Sequence, residues 1–214
     1  MIFPLIGYYN PSVIVTYFSL MLSVGGICAA LTGHIQAAFV CIMVCGMCDM
    51  VDGPIARKCK RTEDEKSFGI QIDSLCDLIC FGAQAAVLSL VMGGISWYSA
   101  LIAAFFVLAG VIRLGYFNVQ EINRVRRDPG RRQTYDGLPI TSSSIILPLV
   151  GLIDILVKAR CSWIYPVTLA VTGLMYILPV RIPKLHTRGM IVCGIGGAVM
   201  FALMVAFGAV LQAA

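Results

Sequence analysis

Four aspartates, Asp49, Asp52, Asp73 and Asp77, lie within or at the rim of apolar sequence, in CDMVDGPIARKCKRTEDEKSFGIQIDSLCD. On helices, Asp49 and Asp52 at i, i+3 share one face, and Asp73 and Asp77 at i, i+4 share another. Two such faces pressed together gather four carboxylates at a membrane surface. Left unpaired at the centre of a bilayer, each would cost about 2.5–3.5 kcal/mol, and together they repel one another. A cation must hold them. Donors made only of oxygen favour Mg2+, Mn2+ or Ca2+ over zinc.

The helices that carry these faces read as membrane helices. Of 214 residues, 59% are apolar and 13% charged, with a mean hydropathy of +0.89. This composition excludes an ordinary soluble domain. No polar stretch is long enough for a second domain, so one membrane domain over 1–214 is expected. Hydrophobic runs at about 12–32, 35–52, 69–92, 97–118, 139–157, 163–180 and 189–211 predict an all-α bundle of about seven transmembrane helices. With 53–68, 119–138 and 181–188 on the cytoplasmic side, thirteen Lys and Arg lie inside. Only Lys158 and Arg160 lie outside, and Arg113 falls within a helix. The positive-inside rule is then met with the N-terminus in and the C-terminus out. The net charge of +5 belongs to this asymmetry and speaks to the membrane surface, with no nucleic-acid partner expected. The start, MIFPLIGYYN, lacks a basic segment, so the first helix is expected to insert uncleaved.

Other polar and reactive residues have simpler readings. Cys45-x-x-Cys48 with Cys76 and Cys80 imitates a zinc site. Thiols inside apolar helices pack as small hydrophobes, however, and reduced cysteines are expected. Asp154 precedes Lys158 by four residues and reads as a local pair. His34 and His186 read as solvated turn residues. Arg124–Arg132 and Arg181–Arg188 read as orientation signals that meet anionic lipid. Small residues at Gly25, Ala29 and Gly33, and at Gly194, Ala198, Ala202 and Ala206, form ridges for close helix packing, within the chain or along a homodimer seam.

Around the acids, Gly53-Pro54 is expected to break the second helix after Asp52. Arg57 follows, a charged loop runs to Lys66, and Gly69 opens the next helix. Gly53, Ala56 and Gly69 are small and leave room for a ligand against the backbone. An acidic cluster, small residues and one arginine suit a phosphate ligand bridged by metal, at the height of a lipid headgroup.

The order D-x-x-D-G-x-x-A-R, then G-x-x-x-D-x-x-x-D, resembles the CDP-alcohol phosphotransferase family of integral membrane enzymes. Asp49, Asp52, Gly53, Ala56, Arg57, Gly69, Asp73 and Asp77 carry all eight positions. One departure is the eleven residues between Arg57 and Gly69, a longer gap than the family's, read as a longer cytoplasmic loop. The other is a seventh helix beyond the family's usual six. Within the family, FGIQIDSLCDLICFG, IRLGYFNV and YDGLPITSS resemble the branch that uses L-serine, and with the motif they cover roughly residues 45–145.

The resemblance implies CDP-diacylglycerol as phosphatidyl donor, L-serine as acceptor and CMP as leaving group, at a site facing the cytoplasm. It implies two divalent ions per site, Mg2+ or Mn2+, held by Asp49, Asp52 and Asp73. Asp77 would be the general base and touch the second ion. Asp52, Gly53, Ala56, Arg57 and Gly69 would bind the CDP-lipid, and the expected assembly is a homodimer. Another acceptor, of the glycerol phosphate or inositol type, stays open, as does a cation transporter. Arg113 has two readings: snorkelling to the interface, or holding the acceptor's carboxylate with its planar fork. Asn118 and the Gly137-Leu138-Pro139 turn would complete that pocket, with hydroxyls from Thr141 and Ser142.

Overall fold

The computed structural model describes residues 6–127, 134–157, 161–183 and 187–207. Seven helices follow in order among them: α1 (Ile14–Leu31), α2 (Ile35–Lys58), α3 (Glu63–Gly93), α4 (Trp97–Arg127), α5 (Ser143–Val157), α6 (Ile164–Ile177) and α7 (Thr187–Phe207). The first five provide spans long and apolar enough to cross a membrane, and α6 and the apolar part of α7 are shorter. The protein is thus a helical membrane-type bundle with five such helices. One short antiparallel pair departs from an all-α reading: β1 (Thr134–Asp136) and β2 (Arg181–Pro183), with Tyr135 opposite Ile182. These connector residues flank the helices, where backbone groups need partners outside a helix.

The surface identifies the solvent. Phe18, Leu101 and Val171 are each more than half exposed, as lipid-facing residues are. Polar groups turn inward instead: Ser19, Ser23, Gln84, Arg113, Ser143 and Thr172 are buried. The apolar core between them includes Phe39, Ile42, Phe81, Leu88, Phe106 and Leu147. Helices meet closely where side chains are small. Gly26 of α1 leaves no room for a Cβ between Gln84 and Cys41, and Gln84 donates through Nε2 to the Ala38 carbonyl at 3.0 Å. Glycine there lets three helices share one junction.

Local chemistry sets the ends. The α1–α2 turn hinges on Gly33 at φ +84°. His34 N–H donates to the Ala29 carbonyl at 2.8 Å and Gly33 N–H to Ala30 at 3.2 Å, the doubly closed C-terminal motif that glycine permits. Thr62 caps α3: its hydroxyl accepts from Glu65 N–H at 3.2 Å, and Glu65 accepts from Thr62 N–H at 2.8 Å.

Two expectations about this region are corrected. Gly53-Pro54 does not end α2, which continues to Lys58 with Pro54 inside. Proline removes one hydrogen bond, to Met50, but its clash with the preceding residue largely involves a Cβ that Gly53 lacks. Gly69 does not open α3 either; the cap starts the helix at Glu63. The long gap after Arg57 is therefore mostly helix, and only residues 59–62 connect α2 to α3.

Directly after Asp77, α3 widens into a π-helical stretch, Leu78–Ala83, before returning to α-helix at Gln84. Neighbours hold its carbonyls: Ser23 of α1 donates to Ile79 at 3.4 Å and Ser143 of α5 donates to Phe81 at 2.9 Å. Such wide turns recur at functional sites.

Candidate active site

The second turn from the end of α2 and the middle of α3 bring Asp49, Asp52 and Asp73 together. Each offers a carboxylate oxygen, and these oxygens all lie within 4.8 Å of one another. Asp52 of α2 and Asp73 of α3 thus face each other across the two helices. The three are partly buried. Oxygen-only donors this close fit a hard divalent cation and can hold a metal ion. Asp77 stands one turn, about 6 Å, further along α3, within electrostatic reach of the other three. Among the described residues no histidine or cysteine joins a comparable group. Cys45, Cys48, Cys76 and Cys80 are free thiols. Cys45 donates to the Ser19 carbonyl at 3.3 Å, and Ser19 Oγ lies 3.6 Å from Cys80 Sγ, so these two thiols fill a polar seam among α1, α2 and α3.

The small residues lie beside the acids. Gly53 and Ala56 follow Asp52 on the last turns of α2, partly exposed. Arg57 is on the same turn, and its side chain lies outside the described residues. Gly69 is one turn before Asp73, and a Cβ there would stand 3.4 Å from Arg61 Nη1.

The residues considered for an acceptor gather around α4. Arg113 is 7% exposed, so it turns into the bundle. Gly137 lies against it. With φ +77°, a Cβ on Gly137 would meet Tyr176 O at 3.0 Å, Leu178 O at 3.3 Å and Arg113 Nη1 at 3.4 Å. Gly137 N–H donates to Val180 O at 2.8 Å. Pro139 leads into a 3₁₀ turn, Ile140–Ser142, that contains Thr141 and Ser142. This group adjoins the acids through two contacts. Ser74, next to Asp73, donates to Asn118 Oδ1 at 2.8 Å. A Cβ at Gly110, one turn before Arg113, would stand 3.5 Å from Leu78, the residue after Asp77, and 3.0 Å from Ile140.

Residues outside this centre resolve more simply. Asp154 accepts from Tyr165 OH at 3.1 Å and from Cys161 N–H at 3.2 Å, pinning the α5–α6 turn; Lys158 lies outside the described residues. His34 is exposed at the start of α2, 3.1 Å from Thr32 Oγ1, and His186 lies outside the described residues. Sequence reasoning missed the Thr62 cap, Arg61 and Ser74. The cap had a readable signal in Thr62-x-x-Glu65.

Residues 9–213 match the CDP-alcohol phosphatidyltransferase family, and the chain belongs to it. Among individual relatives, the CDP-diacylglycerol–serine O-phosphatidyltransferase of Saccharomyces cerevisiae is 35% identical over 118 residues, 53% of this chain and 41% of the relative. The archaetidylserine synthase of Methanothermobacter thermautotrophicus is 30% identical over 132 residues, 61% of this chain and 50% of the relative. The CDP-diacylglycerol–serine O-phosphatidyltransferase of Bacillus subtilis is 26% identical over 183 residues, 80% of this chain and 92% of the relative. The chain thus spans about half the length of the first two relatives.

Proposed function

We propose that this protein joins L-serine to the phosphatidyl group of CDP-diacylglycerol and releases CMP, from a site on the cytoplasmic face of the cell membrane. The observation that carries the reading is the set of Asp49, Asp52 and Asp73 oxygens within 4.8 Å, on two helices beside Gly53, Ala56 and Gly69. The serine in the names of the relatives supports the acceptor. Two ions, Mg2+ or Mn2+, suit the site when Asp77 is counted with the three. When bound, they neutralise the diphosphate and stabilise the departing CMP.

The residues divide the work. Asp49, Asp52 and Asp73 fix the donor's diphosphate end. Arg57 pairs with its oxygens, and Gly53, Ala56 and Gly69 flank the cytidine. The serine oxygen attacks the lipid-bearing phosphorus while the bond from that phosphorus to the CMP oxygen breaks, its electron pair leaving with CMP. Asp77 takes the serine proton as the new bond forms. Arg113 holds the serine carboxylate. Asn118 spends its oxygen on Ser74, which leaves its NH2 to donate to the acceptor, and Gly137 and Pro139 shape the wall. Seven crossings, with the N-terminus inside, put these residues at the cytoplasmic end, and a homodimer is the expected assembly.

The test is purified protein with CDP-diacylglycerol, Mg2+ or Mn2+, and labelled serine, glycerol 3-phosphate and inositol. CMP release with label transferred from serine alone is expected, lost in EDTA and restored by added metal. Transfer to another alcohol would replace the acceptor assignment. Full turnover in excess EDTA, with no metal bound, would remove the two-metal reading.

A further inference from the structure

We infer that Arg61 is a second arginine of the donor site, placed over Gly69 to hold a phosphate oxygen of the cytidine nucleotide; this rests on the reading of the chain as a CDP-lipid phosphatidyltransferase. In sequence Arg61 is one basic residue among several in a charged stretch. The fold gives it a particular seat. Thr62 caps α3 through the reciprocal bonds with Glu65, and Arg61 is the residue just before the cap. A Cβ built at Gly69 would meet one neighbour within 4 Å, Arg61 Nη1 at 3.4 Å. The guanidinium therefore borders the space that the missing side chain leaves. Gly69 sits in regular α-helix, so its backbone does not demand glycine, and the space is what the residue supplies.

Glu65, Gly69, Asp73 and Asp77 follow one another at four-residue steps on α3, one stripe along its surface. The guanidinium lies over Gly69 of that stripe, and Gly69 itself is one turn, about 6 Å along the axis, before Asp73. Arg61 is half-buried. Its charge reaches Glu65, yet among the described residues the one ion pair within 4.0 Å is Lys66–Glu63. The planar fork is thus held beside Gly69, with no carboxylate of a described residue in salt-bridge contact. Phosphate oxygens match that fork. The connector of residues 59–62 is short, so Arg57 on the last turn of α2 and Arg61 within the connector are four residues apart, and a diphosphate bound at the acids would lie within reach of both positions.

The test compares Arg61→Ala, Arg61→Lys and Lys60→Ala, the last removing the same charge from an exposed neighbour. Each is titrated calorimetrically with CDP and with cytidine, in Mn2+ and neutral detergent free of anionic lipid. For Arg61→Ala, CDP affinity is expected to fall about tenfold, the scale of a charge-assisted hydrogen bond. Cytidine affinity holds, Arg61→Lys lies between, and Lys60→Ala matches wild type. KM for CDP-diacylglycerol rises with KM for serine unchanged. A residue that served only the helix cap would lower the melting temperature and leave the ratio of CDP to cytidine affinity intact, which would overturn the proposal. So would equal losses in Lys60→Ala and Arg61→Ala. Wild-type protein that binds no CDP and releases no CMP would overturn the functional reading and the proposal with it; wild-type turnover with an indifferent Arg61→Ala would overturn the proposal alone.

Discussion

Gly137→Ala is the most demanding perturbation of the acceptor side, because the structure leaves the new methyl no escape. Gly137 sits at φ +77°, where an L-residue pays about 1–2 kcal/mol. The methyl would also stand 3.0 Å from Tyr176 O and 3.3 Å from Leu178 O. Both are backbone atoms at the end of α6, and they cannot rotate away as a side chain would. Crowding of this kind adds about 1–3 kcal/mol. Relief by rotation would break the Gly137 N–H to Val180 O bond of 2.8 Å and move the backbone against which Arg113 lies. A loss of about 2–5 kcal/mol corresponds to a drop of about 4–20 °C in melting temperature for a chain of this size. Thermal unfolding in detergent measures it. In parallel, KM for serine should rise while KM for CDP-diacylglycerol holds, since the donor residues lie on α2 and α3. Gly197→Ala is the control, since a Cβ there meets nothing within 4 Å. A Gly137→Ala protein with wild-type melting and wild-type serine dependence would refute the account of this turn.

Asp77→Asn should lower kcat by orders of magnitude while one Mn2+ still binds at Asp49, Asp52 and Asp73, because Asp77 lies outside that close set; near-normal turnover would end its role as base. Arg113→Lys keeps the charge and loses the fork, so KM for serine should rise about tenfold or more. An unchanged serine dependence in steady-state kinetics would remove Arg113 from the acceptor pocket. For topology, a membrane-impermeant thiol reagent added from outside should label Ser96→Cys and spare Cys59, in a background lacking the other cysteines. Labelling of both from one side contradicts the proposed orientation.

The acids were legible because helical periodicity alone brings positions 49 and 52, and 73 and 77, onto common faces. Helix ends were harder to read. EDEK looked like loop because it is charged, yet those charges sit in a first turn, where acidic residues favour the helix dipole. Pro54 looked like a stop, and only the glycine before it explains why α2 continues. Contacts between helices left no trace in the sequence. The Ser74–Asn118 bond joins residues 44 apart, and the junction of Gly26, Cys41 and Gln84 depends on how three helices are rotated against one another. The burial of Arg113 likewise needs α6 and the Gly137 turn around it, and neither is a sequence neighbour.

The wide turn at Leu78–Ala83 has a consequence for how such a protein changes over time. An α-helix advances about 100° per residue, so its two ends are normally clocked together. A π turn takes up a residue and resets the phase of everything beyond it. Here all the acids of α3 lie on one side of that turn, and Gln84, which bonds to Ala38 of α2, lies just past its end. The half beyond the turn can then be re-clocked, lengthened or repacked while Asp73 and Asp77 keep their spacing. The chemistry and the anchoring of α3 become separately adjustable parts of one continuous helix.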